Sequence, residues 1–430
     1  MMVLAMIFAG VALAGPGTRV ETKLTWHEVG SGDKIVSQMP SLSCPTKEDT
    51  PPPPGYKSPE GAVKPTFFSF EQSQNVNTVG VMAKSAVSGR YDHLWVDWNH
   101  DRKFDDSEMA TADPIATTGT KGNETNSYGS GLRSTDGTIQ VSTVPPDPTN
   151  TYRYAKPPVG PNGPVHVRFT TRFSRTVYLT MGMQDSFDLQ AIVLLPTGYK
   201  DGEVELKGKN VKVGVIDSDF NGIYGDVFGL TEGDQIIYAP GGASSFSGSD
   251  LYRANALLQM DDRTFWRVNV ARNGSKMALE KDRTPIGEVV FQNCEMQGIS
   301  LQSAKADVRA GPIQGKVWLP AGSYHLDYVC LAIKDQDGKI WTYWTRTRKA
   351  GALQVRAGAL TTYDGGGPFK LELDVADENP TWSFTLSLLN HAGDPLPGLD
   401  DPKGNRPTAP ELVIKDSSGN IIKTLAFAYG

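Results

Sequence analysis

Strand-length runs recur along this 430-residue chain, and each is closed by a turn signal before a helical period can establish itself. Asn273-Gly274, Asp337-Gly338, Asp394-Pro395 and Ser418-Gly419 are such signals. Asn-Gly is the strongest short hairpin marker, because both residues tolerate the positive φ that a tight turn requires. Leu257–Met260, Phe265–Val270 and Lys276–Leu279 form one run of three strands, a meander. Lys316–Leu319, Ser323–Lys334, Lys339–Thr347, Lys370–Val375, Trp382–Leu389, Glu411–Lys415 and Ile421–Phe427 continue the pattern. No long stretch carries a helical period, so the chain is expected to be all-β, with serial β-sandwich or meander domains and little helix. The 45 Gly and 29 Pro suit such a turn-rich chain.

At this length more than one domain is expected, since domains commonly hold about 100–200 residues. Residues 1–14 read as a signal peptide. Val3–Ala14 is apolar but short for a membrane span, and Ala12-Leu13-Ala14 is a small-x-small cleavage pattern ahead of Gly15-Pro16. Residues 15–65 hold a strand, Glu21–Val29, and a Pro-rich strap or linker centred on Pro51–Pro54. Three β domains follow, over 66–198, 199–303 and 304–430. In the first, His166–Phe173 and Thr176–Met183 read as two strands across a short turn, and Ala112–Pro164 as a long surface excursion. No later segment is apolar enough for a transmembrane helix.

Net charge is −6, from 42 basic and 48 acidic residues, so no basic excess points to nucleic acid. The three cysteines, Cys44, Cys294 and Cys330, are too few for a disulfide scaffold. Cys294 and Cys330 could pair, but they read better as small buried hydrophobes.

Two acidic loops carry the chemistry. In a twelve-position calcium loop, oxygen ligands stand at positions 1, 3, 5, 7, 9 and 12, the seventh through its backbone carbonyl. Asp97, Asn99, Asp101, Lys103, Asp105 and Glu108 fill that series. Arg102 stands where Gly normally permits the sharp turn, at a steric cost of about 1 kcal/mol or more. The second loop offers Asp217, Asp219 and Asn221, the Ile223 carbonyl, and Gly222 at the turn. Its twelfth position is Phe228, so closure must come from Asp226, or from Glu232 or Asp234 beyond it. Each loop reads either as a calcium site or as a solvated acidic turn without metal. Both leave a strand rather than a helix, and so resemble the non-helical EF-hand-like loops of extracellular bacterial proteins.

The order Leu94-Trp-Val-Asp-Trp-Asn-His-Asp101, then Gly202-Glu-Val-Glu-Leu-Lys-Gly-Lys209 and Val213-Gly-Val-Ile-Asp-Ser-Asp-Phe-Asn-Gly-Ile-Tyr-Gly-Asp226, resembles uncharacterised exported proteins of planctomycete-type bacteria. That resemblance implies a multi-domain β architecture and a cell-envelope setting, with no activity attached. Catalytic patterns are sparse. The six histidines form no metal-binding pair, and no nucleophile elbow or phosphate loop is present. Gly241–Gly248 reads as a flexible Gly/Ser loop, and Asp261-Asp262 as turn acids. Trp341, Tyr343 and Trp344 could stack on sugar rings from a sheet face, although alternation sends some of them into the core.

The expectation is therefore an exported, calcium-stabilised, non-catalytic protein with a structural or adhesive role, whose partner class is a cell-surface glycan or protein. A secreted hydrolase of glycans or peptides and an array of carbohydrate-binding modules remain the alternatives.

Overall fold

A computed structural model describes residues 19–29, 39–47, 49–73, 76–84, 91–112, 138–143, 151–178, 184–206, 208–228, 232–239, 250–260, 263–302, 307–312, 316–345, 353–377, 381–396 and 398–427. The signal-peptide reading, the Gly/Ser loop, Asp261-Asp262 and most of the 112–164 excursion lie outside them. The chain is all-β, built of many sheets. Among the described residues no helix is long and apolar enough to cross a membrane.

The chain divides into two compact units. One holds 20–254 and 269–278, the other 255–268 and 279–430. This division is coarser than the expected three domains: both acidic loops fall in the first unit, and the run 255–303 is shared between the two.

The larger sheet of the first unit runs in the order Leu42–Pro45, Gln184–Pro196, Val167–Tyr178, Thr151–Arg153, Met109–Ala112, Tyr91–Val96, Val76–Lys84, Val63–Ser73. Its pairings are antiparallel. The turn expected after Phe173 is absent. Val167–Tyr178 is one continuous strand whose register against Gln184–Pro196 shifts at Arg172/Phe173. A bulge there absorbs the break in alternation without ending the strand.

Period-two alternation sends Phe67 to one face of this sheet, with Val79, Val81, Ala83 and Trp95. Phe68 and Phe70 go to the other, with Met82, Leu94, Val96, Phe169 and Ile192. Gly80 lies opposite Phe68, and a Cβ there would fall 2.1 Å from the ring, so the aromatic fills the space over the glycine. The smaller sheet of this unit is ordered Leu251–Arg253, Gln235–Ala239, Lys209–Ile216, Gly198–Leu206, Thr25–Glu28.

The Pro-rich segment is no free linker. Phe67 N–H donates to the Thr50 carbonyl, Tyr56 N–H to that of Pro53, and Tyr56 packs beside Phe104, which in turn meets Phe67. Proline removes backbone donors, so the segment lies along the sheet as a strap rather than joining it.

The second unit has its own core around Leu301, Val308, Leu319, Val329, Leu331 and Tyr343. Its outer hairpins, Lys370–Asp377 with Trp382–Leu389 and Glu411–Lys415 with Ile421–Ala426, are largely exposed. Within the aromatic run the faces alternate, with Trp344 exposed and Trp341 half-buried. Tyr343 is fully buried, and Trp341 is tied by its Nε1–H to Asp335 Oδ2 at 2.9 Å. All three cysteines are free thiols.

Candidate metal centres

Each acidic loop continues a buried strand, Tyr91–Val96 or Lys209–Ile216. The strand end delivers the first carboxylate, Asp97 or Asp217, into the interior at 0 % and 9 % exposure. The backbone then turns twice through the left-handed region. His100 and Arg102 have φ of 60° and 64°, and Phe220 and Gly222 have 63° and 74°. The two loops therefore share one backbone path, and Arg102 adopts the conformation that Gly supplies in its counterpart.

The hydrogen bonds repeat as well. Asp97 Oδ2 accepts the Arg102 N–H at 3.0 Å, and Asp217 Oδ2 accepts the Gly222 N–H at 3.0 Å. Asn99 Oδ1 accepts from Asp101 N, as Asp219 Oδ1 does from Asn221 N. Asp101 Oδ1 accepts from Lys103 N, as Asn221 Oδ1 does from Ile223 N. These bonds hold the alternate side chains of both loops in the same local turns.

Closure differs in length but not in kind. In the first loop a 3-10 turn, Asp106–Glu108, is capped by Asp105, whose Oδ1 accepts the Ser107 N–H. It presents Glu108 Oε1 to the N–H groups of Trp98 at 2.9 Å and Asn99 at 3.3 Å. In the second, the small pair Val227–Phe228 with Glu232–Gly233 folds the chain back, and the Asp234 N–H reaches the Asp226 carbonyl. Asp234 Oδ1 then accepts the Ser218 N–H at 2.9 Å, with Oδ2 on Gly225 N. Of the three acids sequence left open for closure, Asp234 occupies the place that Glu108 has in the first loop. The return bond spans 16 residues rather than 10, a spacing the fixed twelve-position frame does not contain.

The anchors are aromatic. Trp98 and Phe220 share one buried core, Phe104 packs with Tyr56, and Tyr224 lies under Lys200 Nζ at 4.1 Å. Sequence reasoning missed Tyr56, whose hydroxyl donates to Asp97 Oδ2 at 2.7 Å. Proximity in the chain gives no signal for a bond across 41 residues.

The two loops differ in charge density. Asp217, Asp219 and Asp234 each place an oxygen within 4.8 Å of the others; Lys200 interacts with Asp217 at longer range than an ion pair. Burial raises all three carboxyls above the usual range; repulsion from neighbouring acids adds to it, from Asp217 and Asp226 at Asp219 and Asp234 and from Asp226 at Asp217, and burial also raises Asp226. The five acids of the first loop form no such three-carboxylate set, and Asp101 and Asp105 are exposed. Burial pushes Glu108 up to about 7, against the pull of its backbone donors.

Glu108 Oε2, Asp217 Oδ1 and Asp226 Oδ1 are buried and find no hydrogen-bond donor among the described residues. Buried carboxylate oxygens are ordinarily bonded to protein, ordered water or an ion, so these three are free to accept a ligand. Oxygen-only donor sets at this density suit a hard divalent cation.

Elsewhere, His391 Nδ1 meets Asp364 Oδ2 at 2.5 Å, and Asp364 also accepts from Asn293. The neighbouring Cys294 thiol is pushed up to about 11 by burial, the opposite of what an activated nucleophile needs. Compared with known proteins, the chain matches no family model, no curated protein and no solved structure.

Proposed function

We propose that this is an exported, calcium-stabilised β protein with a structural or adhesive role at the cell envelope, and that both acidic loops are its calcium sites. The observation that carries the reading is the clustering of Asp217, Asp219 and Asp234 around buried oxygens that lack donors. Two ionised carboxylates about 4 Å apart repel by about 4 kcal/mol at an effective dielectric near 20. A divalent cation converts that repulsion into attraction and satisfies the orphan oxygens together. Asp217, Asp219, Asn221, Asp226 and Asp234, with the Ile223 carbonyl, would hold one ion. Asp97, Asn99, Asp101, Asp105 and Glu108, with the Lys103 carbonyl, would hold the other.

Calcium suits the setting. Extracellular modules hold it with dissociation constants of about 10⁻⁴–10⁻³ M, weak enough to distinguish an exported protein from a cytosolic buffer. The exported setting rests on the apolar run of residues 3–14 and on the resemblance of the loop-bearing segments to exported proteins. Each ion ties together strands of one unit, which is a structural task, and a cell-surface glycan or protein is the partner class such a scaffold serves.

Thermal unfolding of the full chain in calcium and in chelator tests the reading. The expected rise corresponds to about 2.7 kcal/mol per site when free calcium stands a hundredfold above the dissociation constant. Identical unfolding in calcium and in chelator overturns it.

A further inference from the structure

The fourth residue of each loop lies between two of the proposed ligands. His100 sits between Asn99 and Asp101, and Phe220 between Asp219 and Asn221. Both hold positive φ, so each is locked or released with its neighbours. One side chain joins them. Gln72, at 3 % exposure, donates its Nε2–H to the Phe220 carbonyl at 2.7 Å. A carbonyl cannot donate, so this bond fixes the amide orientation and sends Oε1 toward the first loop. There Oε1 accepts the Thr78 hydroxyl at 2.6 Å and stands 3.1 Å from His100 Nε2. His100 Nε2 is also 3.0 Å from Thr78 Oγ1. With the hydroxyl hydrogen committed to Gln72, the imidazole carries its proton on Nε2 and donates.

The second loop is held from further sides. Asn162 Nδ2 donates to the Asn221 carbonyl at 3.1 Å, and Asn221 Nδ2 reaches the Gln72 carbonyl at 3.5 Å. A cleft of about 230 Å³ borders Gln72, His100, Asn162 and Asn221.

We propose that Gln72 couples the two loops, so that filling one with calcium raises the affinity of the other. The proposal rests on the calcium reading. An ion in either loop fixes its fourth residue, and through it the Gln72 amide. The other loop then binds without meeting that ordering cost again, which is positive coupling between distinct sites. Gln72 is a positioning residue here and touches neither ion.

Calcium titration calorimetry on the full chain tests this. Asp219→Ala disables the second loop and is expected to weaken the first by at least about fivefold, the lower end of typical coupling. In a Gln72→Leu background, which keeps the volume but removes donor and acceptor, the same Asp219→Ala change is expected to leave the first loop unaltered. His100→Ala cuts only the first-loop arm at a half-buried position, and it supplies the same comparison should Gln72→Leu fail to fold. Two ions bound independently by the native chain, or coupling undiminished in Gln72→Leu and His100→Ala, overturns the coupling and leaves the calcium reading standing. A native chain that binds no calcium overturns both.

Discussion

Asp234 accepts the Ser218 N–H at 2.9 Å, the same distance at which Glu108 accepts the Trp98 N–H. In each loop the second residue's amide thus receives the acid that completes the ring. What the loops share is the return of a carboxylate to that amide, and the number of residues spent in returning is free. The first loop returns by a 3-10 turn and the second by a two-stranded excursion. Asp234 is fully buried, whereas Asp226 is only partly so.

Asp234→Asn should therefore weaken calcium binding at the second loop more than Asp226→Asn does. Replacing an outer partner of a metal site typically costs about 10–100-fold in affinity, and the closing carboxylate should exceed that. Calorimetric titration of the two variants decides it. Equal losses, or a larger loss in Asp226→Asn, would show that closure is made by the nearer acid.

Two glycines of the second loop should respond differently to alanine. Gly222 and Gly225 both have positive φ, 74° and 82°, so either substitution carries about 1–2 kcal/mol of backbone strain. At Gly222 an added Cβ meets nothing closer than 3.5 Å, an ordinary contact. At Gly225 it would stand 2.6 Å from Val270 Cβ. Denaturant unfolding should show Gly225→Ala as the more destabilised variant by a margin of its own, since a clash adds to the strain. Equal midpoints would count against the packing of Val270 onto this loop.

Much of this was legible in the sequence for local reasons. The meander at Leu257–Met260, Thr264–Val270 and Lys276–Lys281 follows from alternation and an Asn-Gly turn, both properties of adjacent residues. The spacing of acids along the first loop was readable because it is contiguous. What could not be read depends on distant pairing. Asp234 reaches Ser218 only after a strand pair folds back, and Tyr56 reaches Asp97 only because the Pro-rich strap lies along the sheet. Gln72 gives no sign of its role, since nothing near it in the chain distinguishes it from any other strand glutamine. The continuity of Val167–Tyr178 across the break expected after Phe173 was hidden for a similar reason. A bulge and a turn look alike in sequence until the partner strand is known.

Tyr56→Phe removes one hydroxyl that donates to Asp97 Oδ2 and leaves the ring against Phe104. A hydrogen bond to a charged group contributes about 1.5–3 kcal/mol. The variant should lose stability of that order in calcium, and the strap residues 49–62 should become open to hydrogen exchange and proteolysis. Exchange at the strap that is unaltered in Tyr56→Phe would mean that the ring alone secures it. Burial and the Asp97 carboxylate hold the Tyr56 phenol protonated well above neutral pH, so the donor persists across the working range.

In chelator, the loop-bearing unit should be more stable at pH 5 than at pH 8. Glu108 is raised to about 7, and Asp217, Asp219 and Asp234 are raised by burial, with repulsion from neighbouring acids adding to it. Unfolded, these groups titrate near 4. A carboxyl whose folded pKa is raised contributes stability that is fully present below the unfolded value. That contribution is lost as pH rises through the folded value, because the unfolded state then binds fewer protons than the native state. For Glu108 the loss falls between about pH 4 and 7. Calcium reverses the sign, since it binds the ionised oxygens and must displace their protons. Hydrogen exchange at Tyr91–Val96 and Lys209–Ile216, followed against pH with and without calcium, reads this unit alone. Protection that falls with rising pH in chelator and rises with it in calcium is the expected pair of curves. Parallel curves would mean that the buried carboxyls and the ion do not compete for the same oxygens.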